Sequence, residues 1–282
     1  MKKIFKHFSL IISIYDKTDP YLLTKSLHSI LNQYYLPKEI LIMLDGPVNV
    51  RLRFIVNSFS HNNRKKLNIK IFQNKKNLGI AISYNKLIKN SSNEIVAIQD
   101  SDDVSNYMRF YYQFLLINTN KKYSIIGSNV YENYITEKKK IKKEMPSSYK
   151  LIKRRCKFSN PINHPTVMLK KKVLTKYCYK NFLRMEDYYL WIKMMSNNVI
   201  FFNINKCLVT MSIDKNFFSR RTKFQILVNE CIIQYQLYKY KFNNFFEMIF
   251  FIILKNIYHV LPSNLKKYFR KRILFFFSKN KN

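Results

Sequence analysis

Glycine is scarce in this chain, which has only Gly46, Gly79 and Gly127 among its 282 residues. Lys, Asn, Ile, Phe and Tyr dominate throughout, and we interpret this composition as a coding bias toward A and T. A glycine that persists against such a bias is informative, because glycine accepts positive φ and lets a ligand approach the backbone closely. Gly46 and Gly79 each follow a predicted strand, so we expect both to lie in turns that need these properties.

Cysteine is also rare, and the 4 cysteines lie far apart with no Cys-x-x-Cys pair. This spacing indicates neither a zinc site nor a disulfide framework, and a reducing cytosol is the simplest location. The N-terminal apolar run, Phe8–Tyr15, is short and lacks a small-residue cleavage site. We therefore interpret it as a first strand and not as a signal peptide.

Acidic residues number 16 against 51 Lys and Arg, which gives a formal net charge of +35 at pH 7. A positive field of this size attracts phosphates and anionic lipid surfaces. It also leaves open a basic nucleic-acid-binding protein, in which the many Tyr and Phe side chains could stack on bases. However, the basic residues are spread along nearly the whole chain, and the sharpest local feature is acidic. We therefore expect no nucleic-acid partner.

From Phe8 to about Tyr134 the sequence alternates between strand and helix patterns. Asp19 followed by Pro20 predicts a helix N-terminus, and Asn77-Leu78-Gly79 opens another helix. Apolar runs of strand length cover residues 9–15, 39–44, 67–72 and 94–98. Such alternation predicts an α/β fold with a mostly parallel, Rossmann-like central sheet and flanking helices. Ligands of such sheets bind at the carboxyl ends of the strands.

Three carboxylates, Asp100, Asp102 and Asp103, directly follow the fourth predicted strand. Carboxylates crowded at a strand end repel one another unless a cation lies between them, and a divalent cation that carries a diphosphate is the usual solution. Alternatively, Asp102 or Asp103 could cap a helix predicted over Val104–Ile117. A cap needs a single aspartate, so capping leaves the other two unexplained.

The second half of the chain has a less regular pattern. Residues 135–150 form a lysine-rich break, which predicts an exposed loop or hinge. Beyond it the patterns predict a strand at 164–169, a helix introduced by residues 185–187, short strands at 199–204 and 207–213, and a long helix from about residue 222 to 241.

The C-terminal region differs in composition from the rest. The apolar run Phe245–Leu254 is interrupted by Glu247 and is too short to cross a bilayer, which needs about 20 apolar residues. Farther on, the apolar residues Leu265, Phe269, Ile273 and Phe276 repeat at helical spacing. Basic residues lie mostly on the opposite side of this predicted helix. This pattern is typical of a helix that lies in an anionic membrane interface. Packing of the helix on its own domain is an equal alternative.

Several short motifs occur in a fixed order. They are Ser-Leu-Ile-Ile-Ser-Ile-Tyr-Asp at 9–16, Leu-Asp-Gly-Pro at 44–47, Asn-x-Gly at 77–79 with a downstream Asn85, Asp-Ser-Asp-Asp at 100–103, Asn-His-Pro-Thr-Val-Met at 163–168 and Glu-Asp-Tyr-Tyr-Leu-Trp at 186–191. The ordered set, over residues 8–225, resembles the family 2 glycosyltransferases of GT-A fold. Within that family it is most similar to the bacterial branch that assembles capsule, exopolysaccharide and lipopolysaccharide, and to the amylovoran-type transferases.

The resemblance implies roles for the residues of the donor site. Tyr15 and Asp45 would hold the uracil and ribose of a UDP-sugar, and Asp100 would contact the ribose and the sugar. Asp102, with help from Asp103, would bind Mg²⁺ or Mn²⁺ on the diphosphate. The wider substrate-binding set comprises Asp16, Asn77, Gly79, Asn85, Ser101, His164, Arg220 and Arg221.

The resemblance also implies that Asp187 is the general base and that Glu186 orients or supports it. Other interpretations exist for single residues in isolation. Asp45 could merely start a tight turn, His164 beside a proline is more often structural, and the Glu186-Asp187 pair could be an acidic helix N-terminus. The chain also departs from the family, because Asp16 replaces a frequent asparagine and Thr222 replaces a glycine after the arginine pair.

The resemblance implies an enzyme that transfers a hexose from a UDP-sugar to a glycan, with inversion, and we expect the acceptor glycan to be carried on a polyprenyl diphosphate. We expect it at the cytoplasmic face of the cell membrane, bound peripherally. The domains would be a GT-A domain at 1–225, with a nucleotide-sugar half at about 1–134 and an acceptor half at about 150–225, and a basic helical extension at 226–282. A sugar-phosphate nucleotidyltransferase is a further alternative, but that class needs a glycine-rich, Arg-containing loop after the first strand, which residues 15–19 lack.

Overall fold

The computed structural model describes residues 7–181, 185–213 and 223–260. The chain divides into two compact units, Met1–Phe218 and Ser219–Asn282. The predicted boundaries at residues 134, 150 and 225 stay predictions.

The described strands of the first unit form one sheet. They are β1 (Ser9–Ile14), β2 (Glu39–Leu44), β3 (Asn68–Gln73), β4 (Ile95–Asp100), β5 (Val104–Ser105), β6 (Ile125–Tyr134), β7 (Lys139–Lys143), β8 (Met168–Lys170) and β9 (Phe201–Ile213). Their order is β3-β2-β1-β4-β8-β6-β9-β5, and β7 pairs with β6. Neighbours among β1 to β4 are parallel, as are β6 and β9, whereas β8 runs antiparallel to β4 and β6. The predicted α/β fold with a mostly parallel sheet is confirmed.

Helices flank this sheet. They are α1 (Pro20–Leu31), α2 (Val50–Asn63), α3 (Ile80–Asn90), α4 (Arg109–Thr119), α5 (Tyr149–Cys156), α6 (Lys171–Tyr177) and α7 (Glu186–Ser196), with a 3-10 turn at His164–Thr166. β1 and β2 are almost continuously apolar because both of their faces are covered. The Asp19 side chain accepts hydrogen bonds from Tyr21 N and Leu22 N at 2.8 and 2.9 Å, so the predicted cap of α1 is confirmed.

The helix predicted over Val104–Ile117 begins later. Val104 and Ser105 form β5 instead, because they pair with Thr210 and Val209 of β9, and α4 starts at Arg109. The N-cap of α4 is Met108. The alternative interpretation, in which Asp102 or Asp103 caps this helix, is therefore wrong.

Three further predictions from the second half need correction. The lysine-rich break contains β7, whose backbone pairs with β6 while most of its lysines stay exposed, followed by α5. The two short strands at 199–204 and 207–213 are one strand, β9, with register shifts opposite Ser128, Asn129 and Val130. The strand predicted over 164–169 is mostly the 3-10 turn, and only its end belongs to β8.

The second unit contains α8 (Lys223–Lys239) and α9 (Phe245–Val260), which pack against each other. Lys255 Nζ of α9 lies 2.6 Å from Glu230 Oε2 of α8 and forms an ion pair with it. None of the helices in the described ranges has the length and hydropathy that crossing a bilayer requires. The predicted helix around residues 265–276 lies outside the described residues.

Candidate active site

The carboxyl ends of β1, β2 and β4 meet at one edge of the sheet. Ser13 of β1 lies opposite Asp100 of β4, and Ile14 of β1 lies opposite Leu44 of β2. The residues at these strand ends therefore emerge side by side, with Asp45 and Asp100 at the ends of strands that are two spacings, about 10 Å, apart. The structure thus brings these two predicted donor-site aspartates to a common edge.

Asp45 is buried, and its carboxylate accepts three hydrogen bonds. Oδ1 accepts from Asn74 Nδ2 at 2.8 Å and from Leu78 N at 2.9 Å, and Oδ2 accepts from Gly79 N at 2.9 Å. All three donors belong to the loop between β3 and α3. Asp45 therefore fixes that loop at the sheet edge, in addition to any contact that it makes with a nucleotide.

The two glycines at this edge have the predicted conformations. Gly46 has φ +97° and Gly79 has φ +87°, both in the left-handed region that favours glycine. A Cβ atom at Gly46 would also lie 2.7 Å from Asn77 N, so the two loops pack directly on each other. The exposed Asn77 side chain accepts from Gly79 N at 3.2 Å.

The loop after β1 carries Tyr15 and Asp16. Asp16 is exposed, and its Oδ1 accepts from Asn49 N at 2.9 Å, which ties this loop to the start of α2. Tyr15 is half-buried and its backbone N–H donates to the Thr18 hydroxyl. Thr18 in turn lies 3.5 Å from the hydroxyl of Ser101, so residues from both acidic strand ends are in contact.

Asp100 is held by aromatic side chains. Tyr84 donates its hydroxyl hydrogen to Asp100 Oδ1 at 3.1 Å, and His164 Nδ1 lies 3.9 Å from the same oxygen. The rings of Tyr84 and His164 stack at a centroid distance of 5.5 Å. About 29% of the Asp100 side chain stays exposed, so this carboxylate can still reach a ligand.

Asn85 does not point at this carboxylate but holds Tyr179. Its Nδ2 donates to Tyr179 O at 2.7 Å and its Oδ1 accepts from Tyr179 N at 2.9 Å. The Tyr179 hydroxyl then lies 3.0 Å from His164 Nε2. Asn85 therefore connects α3 of the nucleotide half to the segment after α6, and the connection continues through His164 to Asp100.

Asp102 and Asp103 differ in burial. Asp102 is half-buried, whereas Asp103 is 3% exposed and its Oδ1 accepts from Ser212 N of β9 at 3.0 Å. Burial, with the charges of Asp102 and Asp100, raises the pKa of Asp103 well above its usual range. Asp103 thus lies beneath the site and faces β9, and a direct metal contact by it stays a prediction.

Beneath the acidic segment lies Arg109, which is fully buried. Its guanidinium donates to Gln99 Oε1 at 2.7 Å, to Ser105 Oγ at 2.9 Å and to Ile98 O at 2.6 Å. Burial lowers the pKa of Arg109 to about 9, against the opposing effect of Asp100 and Asp103. The cation thus balances part of the negative charge that the aspartates concentrate above it.

Asp187 lies in the first turn of α7, and both of its carboxylate oxygens are held. Oδ2 accepts from Asn160 Nδ2 at 2.6 Å and Oδ1 accepts from Tyr188 N at 2.8 Å. Asp187 and its neighbour Glu186 are half-buried. Glu186 is the first residue of α7, so the acidic helix N-terminus is present and both acids benefit from the helix dipole.

His164 is the element that links the two acidic groups. Burial lowers its pKa, but the hydrogen bond and charge of Asp100, with the charges of Asp187 and Glu186, raise that pKa by more. The imidazole is therefore within electrostatic range of both Asp100 and the two acids of α7. Neither Arg220 nor Arg221 lies in the described residues, so their roles stay predictions.

The family model of glycosyl transferase family 2 matches residues 9–178, which is over half of the chain. The chain belongs to this family. The predicted family is confirmed, and with it the prediction that the protein is a glycosyltransferase. The two alternatives, a nucleic-acid-binding protein and a nucleotidyltransferase, receive no support.

Named relatives extend the similarity to nearly the whole glycosyltransferase. The UDP-Gal:alpha-D-GlcNAc-diphosphoundecaprenol beta-1,3-galactosyltransferase of Escherichia coli is 30% identical over 269 residues, which is 95% of this chain and 96% of that protein. The amylovoran biosynthesis glycosyltransferase AmsE of Erwinia amylovora is 26% identical over 266 residues, 93% of this chain and 97% of its own. The predicted similarity to amylovoran-type transferases is confirmed.

Solved structures confirm the fold. That of S. aureus TarS in complex with UDP aligns with a TM-score of 0.60 at 19% identity, over 83% of this chain and 66% of that chain. A mannosyltransferase from Pyrobaculum calidifontis, in complex with GDP-Man and Mn²⁺, aligns with a TM-score of 0.62 at 11% identity, over 83% and 64%. Both alignments cover most of this chain, and with them the predicted GT-A architecture is confirmed.

The sheet edge at the carboxyl ends of β1, β2 and β4 fits a cation whose ligands come partly from the protein and partly from substrate oxygens. Within the described ranges, no three or more His, Cys, Asp or Glu side chains are arranged to hold a metal ion on their own. Mg²⁺ in nucleotide enzymes commonly uses one or two carboxylates and takes its other ligands from phosphates and water. The half-buried Asp102 and the partly exposed Asp100 suit that arrangement, whereas Asp103 is committed to Ser212.

Four residues of this site were not predicted from the sequence. Tyr84 falls within the helix that was predicted to follow Asn77-Leu78-Gly79 but had no predicted role, and Asn160, Tyr179 and Arg109 gave no signal. Tyr179 is one of 21 tyrosines in the chain, so nothing in its local sequence marks it. Its contact with Asn85 spans 94 positions and becomes visible only in the folded chain.

Proposed function

We propose that this glycosyltransferase moves a hexose from a UDP-sugar to a lipid-linked glycan during synthesis of a bacterial surface polysaccharide. The observation that carries the donor site is the convergence of Asp45, Asp100 and Asp102 at one sheet edge. The acceptor class is supported by the Escherichia coli relative, which is named for a GlcNAc-diphosphoundecaprenol substrate and aligns with nearly the whole chain.

The donor would lie across the carboxyl ends of β1, β2 and β4. Tyr15 and Asp45 would contact the uracil and ribose, and Asp100 would contact the ribose and the sugar. Mg²⁺ or Mn²⁺, held by Asp102 and the diphosphate, would offset the negative charge that grows on the departing β-phosphate. Asp103 would help from below, where its hydrogen bond to Ser212 N fixes the segment that carries Asp102.

Asp187 is proposed as the general base. A sugar hydroxyl becomes a good nucleophile only when a positioned carboxylate accepts its proton as the bond forms. The hydrogen bonds from Asn160 and from Tyr188 N orient the two oxygens of Asp187 and leave lone pairs for the acceptor hydroxyl. Attack of the acceptor hydroxyl from the side opposite the diphosphate would invert the configuration of the anomeric carbon. Glu186, one residue earlier in the same helix turn, would support the base.

The reaction would take place at the cytoplasmic face of the membrane, because an undecaprenyl-type acceptor is anchored there. The net charge of +35 favours approach to anionic headgroups. The GT-A domain at 1–225 would perform the chemistry, and the extension at 226–282 would contact the lipid surface. Arg220 and Arg221, between these parts, are proposed as diphosphate ligands.

Two variants and a matched control test the catalytic assignment. Asp102→Asn should lose the metal-dependent part of UDP binding in calorimetric titrations with and without MnCl₂. Asp187→Asn should keep donor binding but lose about 100-fold or more of transfer to a GlcNAc-diphospholipid acceptor. Asp19→Asn makes the same chemical change at the α1 cap, where asparagine caps as well as aspartate, and should change neither property.

Each outcome bears on one residue. Unchanged UDP affinity in Asp102→Asn would remove the metal site, and normal turnover in Asp187→Asn would remove the base. A screen of UDP-glucose, UDP-galactose and their N-acetylated forms, with wild-type protein, would identify the donor. Failure of all four with manganese present would argue against a UDP-hexose donor.

A further inference from the structure

Helix α9 has an apolar face that no other described part of its unit covers. Its members recur at the spacing i, i+3, i+4, i+7, i+8 and i+11, which places them on one side of an α-helix. Their exposed fractions are 82% for Phe246, 39% for Ile249, 58% for Phe250, 54% for Ile253, 46% for Leu254 and 54% for Ile257. We call this set the α9 face.

The opposite side of α9 is used for packing. Met248 and Phe251 are buried, and Lys255 is drawn to Glu230 of α8 by an ion pair of 2.6 Å. The other charged side chain, Glu247, accepts from Asn244 N at the start of the helix, in a capping arrangement. Lys255 is thus engaged on the side opposite the α9 face and Glu247 is engaged at the start of the helix, and the six members of the α9 face are all apolar.

The α9 face is too large to be an incidental feature of a soluble surface. If a fully exposed large side chain presents about 200 Å², the six members expose on the order of 650 Å² together. Contiguous apolar patches on monomeric proteins rarely exceed a few hundred Å², and larger ones mark contacts with proteins or membranes. The helix is only 16 residues long, about 24 Å, so it can lie on a bilayer but cannot cross one.

Charge decides between these two classes of partner. The chain carries +35, and the 22 residues that follow α9 contain seven Lys and Arg and no Asp or Glu. An apolar helix face that is followed in the sequence by so many basic residues is complementary to a bilayer whose headgroups are anionic. It is not complementary to a second copy of the same chain, because two copies would repel.

We propose that the α9 face docks on an anionic bilayer surface, with α9 parallel to the membrane and its Phe and Ile side chains among the upper acyl carbons. The inference rests on the proposed function for its purpose, since a lipid-linked acceptor is reached from such a position. It places the contact on α9 itself, whereas the sequence pattern pointed to residues 265–276.

The test compares two double variants of the full-length protein in vesicle sedimentation. Phe250→Gln with Ile253→Gln removes two side chains from the middle of the α9 face, and glutamine keeps a high helix propensity. Val50→Gln with Phe54→Gln is the matched control, because these α2 residues are 84% and 71% exposed and are also one helical turn apart. The vesicles contain phosphatidylcholine with 30% phosphatidylglycerol, or phosphatidylcholine alone.

The wild type and the α2 variant should bind the anionic vesicles equally, with weaker binding to neutral vesicles and at high NaCl. The α9 variant should lose at least tenfold in partition coefficient. Equal binding by all three proteins would overturn the proposal. A dimeric wild type with a monomeric α9 variant would also overturn it, because a second copy would then cover the face. A lower unfolding midpoint of the α9 variant would overturn it as well, because residues 261–282 would then cover the face.

Failure of this inference can be told apart from failure of the proposed function. Binding of UDP and transfer to a short-chain, water-soluble GlcNAc-diphosphate acceptor need no membrane. Both should be the same in the wild type and in the α9 variant. If the wild type neither binds UDP nor transfers to this acceptor, but only the α9 variant loses vesicle binding, the docking surface is supported and the proposed reaction is wrong.

Discussion

The substitution Asp45→Asn tests whether the donor edge depends on the loop that Asp45 holds. In the folded protein the Asp45 carboxylate accepts from Asn74 Nδ2, Leu78 N and Gly79 N, and the side chain is 4% exposed. Asparagine has one acceptor oxygen, so its NH₂ group must face at least one of these N–H donors. The hydrogen bond from that donor is lost, and the remaining hydrogen bonds no longer have a charged acceptor. Because a buried hydrogen bond to a charged group contributes about 1.5–3 kcal/mol, we expect a loss of about 3 kcal/mol in the free energy of unfolding.

Urea unfolding, followed by the fluorescence of the single tryptophan, measures this loss directly. Trp191 is fully buried, so its emission reports on the integrity of the first unit. Asp19→Asn serves as the control, with an expected change within about 0.5 kcal/mol. We also expect UDP affinity to fall, because the Asn77–Gly79 loop is no longer fixed. An Asp45→Asn protein that matches the wild type in both stability and UDP affinity would refute this account.

Three further predictions concern the groups around Asp45 and Asp100. The pKa of His164 is raised by Asp100 above its value in the unfolded chain, so the stabilisation from the imidazolium is fully present below about pH 6.5 and disappears as the pH rises through the folded-state pKa. The stability advantage of the wild type over His164→Gln should thus be larger at pH 6 than at pH 9, and equal advantages in urea unfolding would contradict it. Arg109→Met removes the hydrogen bonds to Gln113 Oε1 and Ile98 O and the cation that balances the buried Asp103, so it should cost about 3–5 kcal/mol by the same assay, whereas a cost below about 1 kcal/mol would count against a structural role for the guanidinium. Gly46→Ala combines a strained φ of +97° with a 2.7 Å contact to a backbone nitrogen, so thermal denaturation should find a clearly lowered midpoint and UDP affinity should fall.

Elements buried on both faces were predictable from sequence because their apolar runs are continuous. β2 was predicted at Glu39–Leu44 and is observed there. α2 gave no usable signal, since only Leu52, Val56 and Phe59 of its 14 residues are buried. Periodicity is visible only when enough of a helix faces the core.

Elements that depend on distant partners were missed for a different reason. β7 is the sequence Lys-Lys-Ile-Lys-Lys, which has no strand signature of its own, and its backbone is ordered by pairing with β6. β5 has two residues, and its partner strand lies more than 100 positions later. In both segments the tertiary pairing overrides local propensity.

The residues of the candidate site also fall into those that the local sequence predicts and those that depend on distant partners. The aspartates were predictable, because acids that end a buried strand have few structural uses. The residues that hold the aspartates in place were not predictable. Tyr84 looks like an ordinary core residue, and the contact of Tyr179 with Asn85 spans 94 positions. The orientation of Asp103 toward Ser212 was equally hidden, because the sequence gives no indication that β9 passes beneath the acidic segment.

The antiparallel strand β8 has a consequence for synthesis of the protein on the ribosome. β4 is an interior strand only because Met168–Lys170 pairs with Ile95–Ala97 along its second edge. A nascent chain that has emerged only as far as residue 134 already contains β1 to β4, yet the backbone N–H and C=O groups along that edge of β4 lack the partner strand β8. Open strand edges of this kind invite wrong pairing with other chains. We therefore expect the segment before β8 to be prone to wrong pairing until Met168–Lys170 has been made.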